Sequence, residues 1–257
     1  MRTTRRLRNL LRHLGRLADD ERIRSAATAY GRLDYPKAAI HLQLTSPEEF
    51  YRLKSCSKEP WTVRWIEQYL QPDEVLYDVG ANVGAYTLVA AVAVPGARVV
   101  AFEPGAANFA ALCANLDLNA VGDRVIPVPL ALGDHPGSAQ LDGLGVAGAS
   151  RSLNGAAGPE RAMTTLVDRL DDVVGRFELP APDHLKLDVD GGELEVLAGG
   201  ERLLAGEGVR SAMVELDQVR GPEVTERLTA LGFELVERSS GRDRPATAPS
   251  YGLFVRA

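Results

Sequence analysis

Val75-Leu76-Tyr77-Asp78-Val79-Gly80-Ala81-Asn82-Val83-Gly84 is the stretch whose reading decides the fold. Its first five residues have the length and apolar content of a buried parallel strand, and the glycines after them let the backbone turn tightly and approach a ligand. Asn82 tolerates the left-handed conformation that glycine would otherwise supply. A second apolar run, Val99-Val100-Ala101-Phe102, ends on Glu103. In open α/β sheets a carboxylate at the tip of the next strand, about 20 residues past the loop, holds the two ribose hydroxyls of a nucleoside cofactor. Glu103 has that position.

The glycine spacing separates two cofactors. A dinucleotide needs G-x-G-x-x-G to seat its pyrophosphate on a helix N-terminus, whereas this chain has G-x-N-x-G with Asp78 in front of it. An acid at the strand tip repels a pyrophosphate but suits the amino-acid and sulfonium end of S-adenosylmethionine. That cofactor is the expected one, against the plainer reading of an ordinary strand-turn-helix.

With 257 residues, 45% hydrophobic and 25% charged, the chain has enough apolar content for one sizeable core plus an appendage. The net charge of −6 argues against a nucleic-acid partner, whose phosphates attract a basic face, and favours a small-molecule acceptor. The two cysteines, Cys56 and Cys113, are too few for a disulfide framework or a zinc site and point to a reducing compartment. No apolar run approaches the roughly 18 residues of a membrane span, and the N-terminus lacks the apolar centre of a secretion signal. A cytoplasmic protein with no stable membrane insertion is expected. Residues 1–18 carry Arg2, Arg5, Arg6, Arg8, Arg12 and Arg16, no acid, and leucines at 7, 10, 11, 14 and 17, which reads as a basic amphipathic helix. It has three possible uses: attraction to an anionic surface, an organelle transit segment, or packing on its own domain or in a homodimer.

Pro60–Leu70 fits a helix with proline in its first turn and Trp61, Trp65 and Tyr69 at i, i+4 spacing. Apolar runs and helical patterns then alternate: Val75–Val79, Tyr86–Ala93, Arg98–Glu103, Asn108–Leu118, Val125–Leu132, Leu166–Phe177, His184–Val189, Glu193–Leu204, Arg210–Leu216 and Val224–Leu231. Such alternation predicts a parallel sheet with helices on both faces. Phe233–Arg238 and Tyr251–Arg256 have no helix between them and predict an antiparallel hairpin at a sheet edge. Gly143–Gly158, which includes Ser150, is rich in glycine and alanine and reads equally as a mobile lid or a surface insertion.

Taken in order, Lys58-Glu59-Pro60, Trp65-Ile66-Glu67, Asp78–Gly84, Phe102-Glu103-Pro104, Asn115, Asn119, Ala131-Leu132-Gly133-Asp134 and Lys186–Glu193 resemble the FkbM family of S-adenosylmethionine-dependent methyltransferases. The resemblance covers roughly residues 58 to 257. It implies a class I, Rossmann-like domain over residues 71–257, with a seven-stranded, mostly parallel sheet and a C-terminal antiparallel hairpin, behind a helical extension over residues 1–70. It also implies methyl transfer to hydroxyls of natural products or saccharides. Carried over by position, the cofactor set is Lys58, Tyr77, Asp78, Gly80, Asn82, Gly84, Glu103 and Asp134, with Asp134 beside the adenine and equally readable as a turn residue. The family's usual Asp-Val-Glu-Gly-Ala-Glu is here Asp188-Val189-Asp190-Gly191-Gly192-Glu193, which shortens one acid by a methylene.

A hydroxyl is a poor nucleophile until its proton leaves, so a base or a metal is expected. Strand alternation puts His184, Lys186 and Asp188 on one face, with Asp188 at the carboxyl end where open α/β sheets bind ligands. Asp188 is the expected base, or the ligand of a divalent ion if one is used. Lys186 and His135 are further catalytic candidates, and Glu193, Glu215 and Ser150 join Asp188 as acceptor-side candidates. For Lys186 and Glu193 an ion pair and a helix-start charge are equally good readings. N-methylation of a small amine and a non-catalytic cofactor-binding module remain the alternatives.

Overall fold

The computed structural model describes residues 29–142, 162–241 and 248–257. The basic N-terminal segment and the whole Gly/Ala-rich stretch Gly143–Gly158, Ser150 included, lie outside these residues. Strand β3 (Val75–Val79) is buried at every position, as a strand covered by helices on both faces must be. It is an interior strand of a seven-stranded sheet made with β4 (Arg98–Phe102), β5 (Val125–Val128), β9 (His184–Leu187), β10 (Ser211–Leu216), β11 (Phe233–Ser239) and β12 (Ser250–Arg256). The order is β11-β12-β10-β9-β3-β4-β5, with β12 antiparallel to both its neighbours and the remaining pairs parallel. The last two strands thus form the expected edge hairpin, and its second strand is inserted beside β10.

Two apolar layers cover the sheet. On one side pack α3 (Pro60–Tyr69), α4 (Ala85–Ala93) and α5 (Ala106–Leu118), through Trp65, Leu88 and Leu112; on the other pack α6 (Leu170–Arg176), α7 (Glu193–Gly199), α8 (Glu201–Ala205) and α9 (Gly221–Ala230), through Val173, Val196, Leu204 and Leu228. The polypeptide before α3 is not only helical. It contains an antiparallel pair, β1 (Ala29–Arg32) with β2 (His41–Leu44), then α1 (Pro47–Arg52) and α2 (Ser55–Lys58). Asn115 on α5 and Asn119, which caps its C-terminus, tie β2 down by accepting from Gln43 N and His41 N. Leu33, Ile40 and Leu42 share one apolar cluster with Leu76 and Val99, so packing is continuous across residue 70.

Three runs read as single elements are divided. Val125–Leu132 ends β5 at Val128, and Pro129, with no N–H to give a ladder, separates it from β6 (Ala131–Gly133) in another sheet. That second sheet has the order β6-β8-β7, with β7 spanning Gly137–Asp142 and β8 spanning Ala162–Arg169. Leu166–Phe177, read as helical, therefore begins inside β8 and becomes helical only at Leu170. Glu193–Leu204 breaks at Gly200. There a Cβ on Gly199 would come within 1.9 Å of Gly133 O, so the end of α7 sits directly on β6.

Candidate active site

The loop after β3 is built on left-handed residues: Gly80 (φ 84°), Asn82 (φ 53°) and Gly84 (φ 87°). At Gly80 the need is steric as well, because an added Cβ would lie 1.9 Å from Asp188 O. The Asn82 side chain stabilises its own conformation by accepting from Val83 N at 3.0 Å. Glu103, at the tip of β4, is buried and closes the loop from the other side. Its Oε2 accepts from Asn82 N at 2.8 Å, and its Oε1 accepts from Gly105 N at 2.8 Å and Asn108 Nδ2 at 3.3 Å. One carboxylate thereby fixes the loop to the start of α5.

Gly80, Asn82, Glu103 and Asp188 line one cleft, whose apolar walls include Phe102, Leu130 and Leu132. Flat apolar walls beside a fixed carboxylate and a close-approaching backbone are what an adenosyl group requires: stacking for the base, acceptors for the ribose diol, and room for the amino-acid end. The residues present fit S-adenosylmethionine.

The tip of β9 supplies the charge. Lys186 is 2% exposed, and its Nζ lies 3.4 Å from both Asp78 Oδ1 and Asp188 Oδ2, with the Tyr86 ring 5.3 Å away. Burial disfavours the Lys186 ammonium, but the carboxylates of Asp188, Asp78 and Glu59 outweigh it and hold the amine firmly cationic. For Asp188, burial pushes the carboxyl up while Lys186 and Lys58 pull it down more strongly, so it lies below the ordinary carboxylate value. Tyr251 O–H, from β12, lies 3.3 Å from Asp188 Oδ2 and 3.5 Å from Glu215 Oε1. Burial and the surrounding acids raise the Glu215 carboxyl to about 9. Glu193 opens α7 and accepts from Val189 N and Gly191 N, a helix-start role that holds the Asp188–Gly192 turn. Burial raises its carboxyl too.

The structure brings Gly80, Asn82, Glu103 and Asp188 to one cleft and places other expected site residues elsewhere. Asp78 lies beneath the loop, accepting from Thr87 Oγ1 at 2.6 Å and facing Lys186. Tyr77, on the opposite side of β3, is a core residue that packs at a tilt against the Phe102 ring and donates to Pro180 O at 2.8 Å. Gly84 begins α4 against Leu112, and Lys58 pairs with Glu59 at 2.7 Å. Asp134 and His135 form an exposed pair in the turn after β6, outside the cleft lining, because the chain leaves the sheet edge there. Among the described residues no group of three or more His, Cys, Asp or Glu side chains is arranged to hold a metal ion, and no helix is long and apolar enough to cross a membrane.

Two residues beside the cleft, Tyr251 and Asn108, carried no functional signal in the sequence. Tyr251 reads as an ordinary strand residue, and Asn108 as an ordinary helix residue. Glu59 and Trp61 are neighbours in the Pro60 turn and both are buried; Glu59 Oε2 and Trp61 Nε1 have no hydrogen-bond partner among the described residues, since the nearby Tyr86 O–H donates to Ser55 O. The Trp61 ring lies 5.6 Å from that of Tyr251.

The family model for the methyltransferase FkbM domain matches residues 78–235. Hexuronic acid methyltransferase AglP of Haloferax volcanii is 32% identical over 163 residues, which cover 63% of this chain and 64% of that protein's length. The 31-O-demethyl-FK506 methyltransferase FkbM of Streptomyces tacrolimicus is 32% identical over 196 residues, covering 65% of this chain and 75% of that protein. With the sheet order, the loop after β3 and the family match in agreement, the chain belongs to the FkbM methyltransferase family.

Proposed function

We propose that the chain transfers a methyl group from S-adenosylmethionine to a hydroxyl of a small molecule. The observation that carries this reading is that Asp188, held ionised by Lys186, lines the same cleft as Gly80, Asn82 and Glu103. When bound, the cofactor supplies a methyl group activated by its sulfonium. Glu103 accepts from the ribose hydroxyls, beside the Gly80 and Asn82 backbone that lines the same cleft. Asp188 takes the proton of the acceptor hydroxyl as the new bond forms. Lys186 fixes the direction of that carboxylate and is itself fixed by Asp78.

On the acceptor side, among the described residues Glu59 Oε2 lacks a donor and Trp61 Nε1 lacks an acceptor. A hydroxyl group provides both functions. Burial without a partner costs about 1–3 kcal/mol per group, which a polyhydroxylated acceptor would recover on binding. We therefore read residues 29–70 as a cap that completes the acceptor site. The two relatives, named for a hexuronic acid and for demethyl-FK506, support an oxygen acceptor.

The test is transfer of labelled methyl from S-adenosylmethionine to a panel of methyl glycosides, uronic acids, hydroxylated macrolides and small amines, with products identified by mass. O-methylated products support the reading. Products from amines alone would move it to N-methylation, and S-adenosylhomocysteine binding with no product from any class would leave a non-catalytic binding module.

A further inference from the structure

Tyr251 touches two carboxyl groups with one hydroxyl, at 3.3 Å from Asp188 Oδ2 and 3.5 Å from Glu215 Oε1. A phenol has a single hydrogen to give, and an ionised carboxylate has none. Both contacts are hydrogen bonds only when one carboxyl carries a proton and donates it to the phenol oxygen. Both are long for O–H···O bonds, as catalytic hydrogen bonds are away from the reacting complex.

The surroundings decide where that proton sits. Asp188 Oδ2 shares the Lys186 ammonium at 3.4 Å. Glu215, in contrast, faces Asp188 on the β9 tip, Asp190 and Glu193 around the start of α7, and Glu59 on the cap, and among the described residues no cation pairs with it. Two like charges that share one site do not both ionise freely, and the one without a cation keeps the proton.

We propose that Glu215 and Tyr251 are positioning residues of the transfer site: a protonated Glu215 donates to Tyr251, which donates to Asp188 Oδ2 and fixes that carboxylate with Oδ1 available to the acceptor. The proposal rests on the reading of Asp188 given above and adds to it a buried proton with a defined holder. The upward displacement of the Glu215 carboxyl to about 9 agrees with it, as does burial of Tyr251, which keeps the phenol neutral. The sign of the pH effect follows. A folded-state value raised from 4.5 means that the folded chain holds a proton the unfolded chain has released. The associated stability is complete below about 4.5, falls as pH rises towards about 9, and is gone above it.

The experiment uses the full chain with S-adenosylhomocysteine bound, as wild type, Glu215→Gln and Tyr251→Phe. Infrared spectra at pH 7 should show a carboxylic acid C=O band that is missing in Glu215→Gln and shifted in Tyr251→Phe, because the phenol oxygen that accepts its hydrogen bond is gone. The melting temperature of Glu215→Gln relative to wild type should rise steadily from pH 5 to 9 and level off above. An unchanged infrared carboxyl region in Glu215→Gln, or a melting difference independent of pH, would overturn the proposal. Should Glu215→Gln not fold, the Tyr251→Phe spectrum decides, and an unshifted band sinks it. If wild type does not bind S-adenosylhomocysteine, the cofactor reading fails; if it binds and shows no such band, only the proton chain fails.

Discussion

The two ends of β9 hold charged groups in opposite states of satisfaction. At the amino end, His184 Nδ1 meets Ser211 Oγ and its Nε2 meets Glu74 Oε2, at 2.8 and 2.9 Å, while Trp65 Nε1 donates to Ser211 and Arg210 pairs with Glu74 and Asp183. Burial lowers the His184 value despite the Glu74 carboxylate, so the ring is a neutral bridge that ties α3 to the sheet. Two strand positions further on, Lys186 balances Asp78 and Asp188 at a looser 3.4 Å, and nearby Glu59 Oε2 and Trp61 Nε1 have no hydrogen-bond partner among the described residues. A closed network specifies the fold. One that leaves donors and acceptors unused stores the capacity to bind.

The contrast breaks most sharply at Asp188. Asp188→Asn keeps volume and removes the charge, so turnover on whichever acceptor the product assay identifies should fall by roughly 10²–10⁴-fold, the range for a lost general base, with S-adenosylhomocysteine affinity retained. Adding a chelator to wild type separates a base from a metal ligand, since only the second loses activity. Full turnover by the variant would remove Asp188 from the chemistry.

Glu103→Ala should weaken S-adenosylhomocysteine binding by about 1.5–3 kcal/mol, measured by calorimetry, through loss of charge-assisted hydrogen bonds. An unchanged affinity in a normally melting variant would refute the ribose role.

At the other end of the strand, Ser211→Ala should cost about 1–3 kcal/mol of stability in denaturant titration by stranding His184 Nδ1 and Trp65 Nε1, with cofactor affinity unaltered. A loss of affinity there would mean that the two ends are coupled. The smallest effect belongs to His135→Ala, at an exposed turn: stability within about 0.5 kcal/mol of wild type and turnover unchanged. A large fall in turnover would make His135 the base that the geometry denies it to be.

What could be read from the chain followed its local periodicities. A five-residue apolar run before glycines at 80 and 84, and an acid closing the next run, locate the cleft at the ends of β3 and β4, because strand, turn and helix signals all act within about 30 residues. Alternation along His184–Asp188 placed Asp188 at the strand tip on the same grounds. Long-range pairing was not legible. β8 looked helical from Leu166 onward because its strand partner, β7, lies beyond a stretch of glycine and alanine, and β1 with β2 are four residues each, too short to show a period. Tyr251 was missed for the same reason: only the antiparallel insertion of β12 beside β10 puts it opposite Glu215. Asp78 was read as facing the ligand, but strand geometry turned it towards Lys186, one strand over.

At residue 80 the side chain is a single hydrogen, and the carbonyl of Asp188 occupies the space where a methyl would be. In the proposed mechanism the loop after β3 and the backbone that carries Asp188 are therefore gauged against each other by direct contact, with no intervening side chain whose rotamer could change the spacing. Motions of the residues before α3 leave that spacing intact, so in that mechanism the separation between methyl donor and proton acceptor behaves as a fixed length of the molecule.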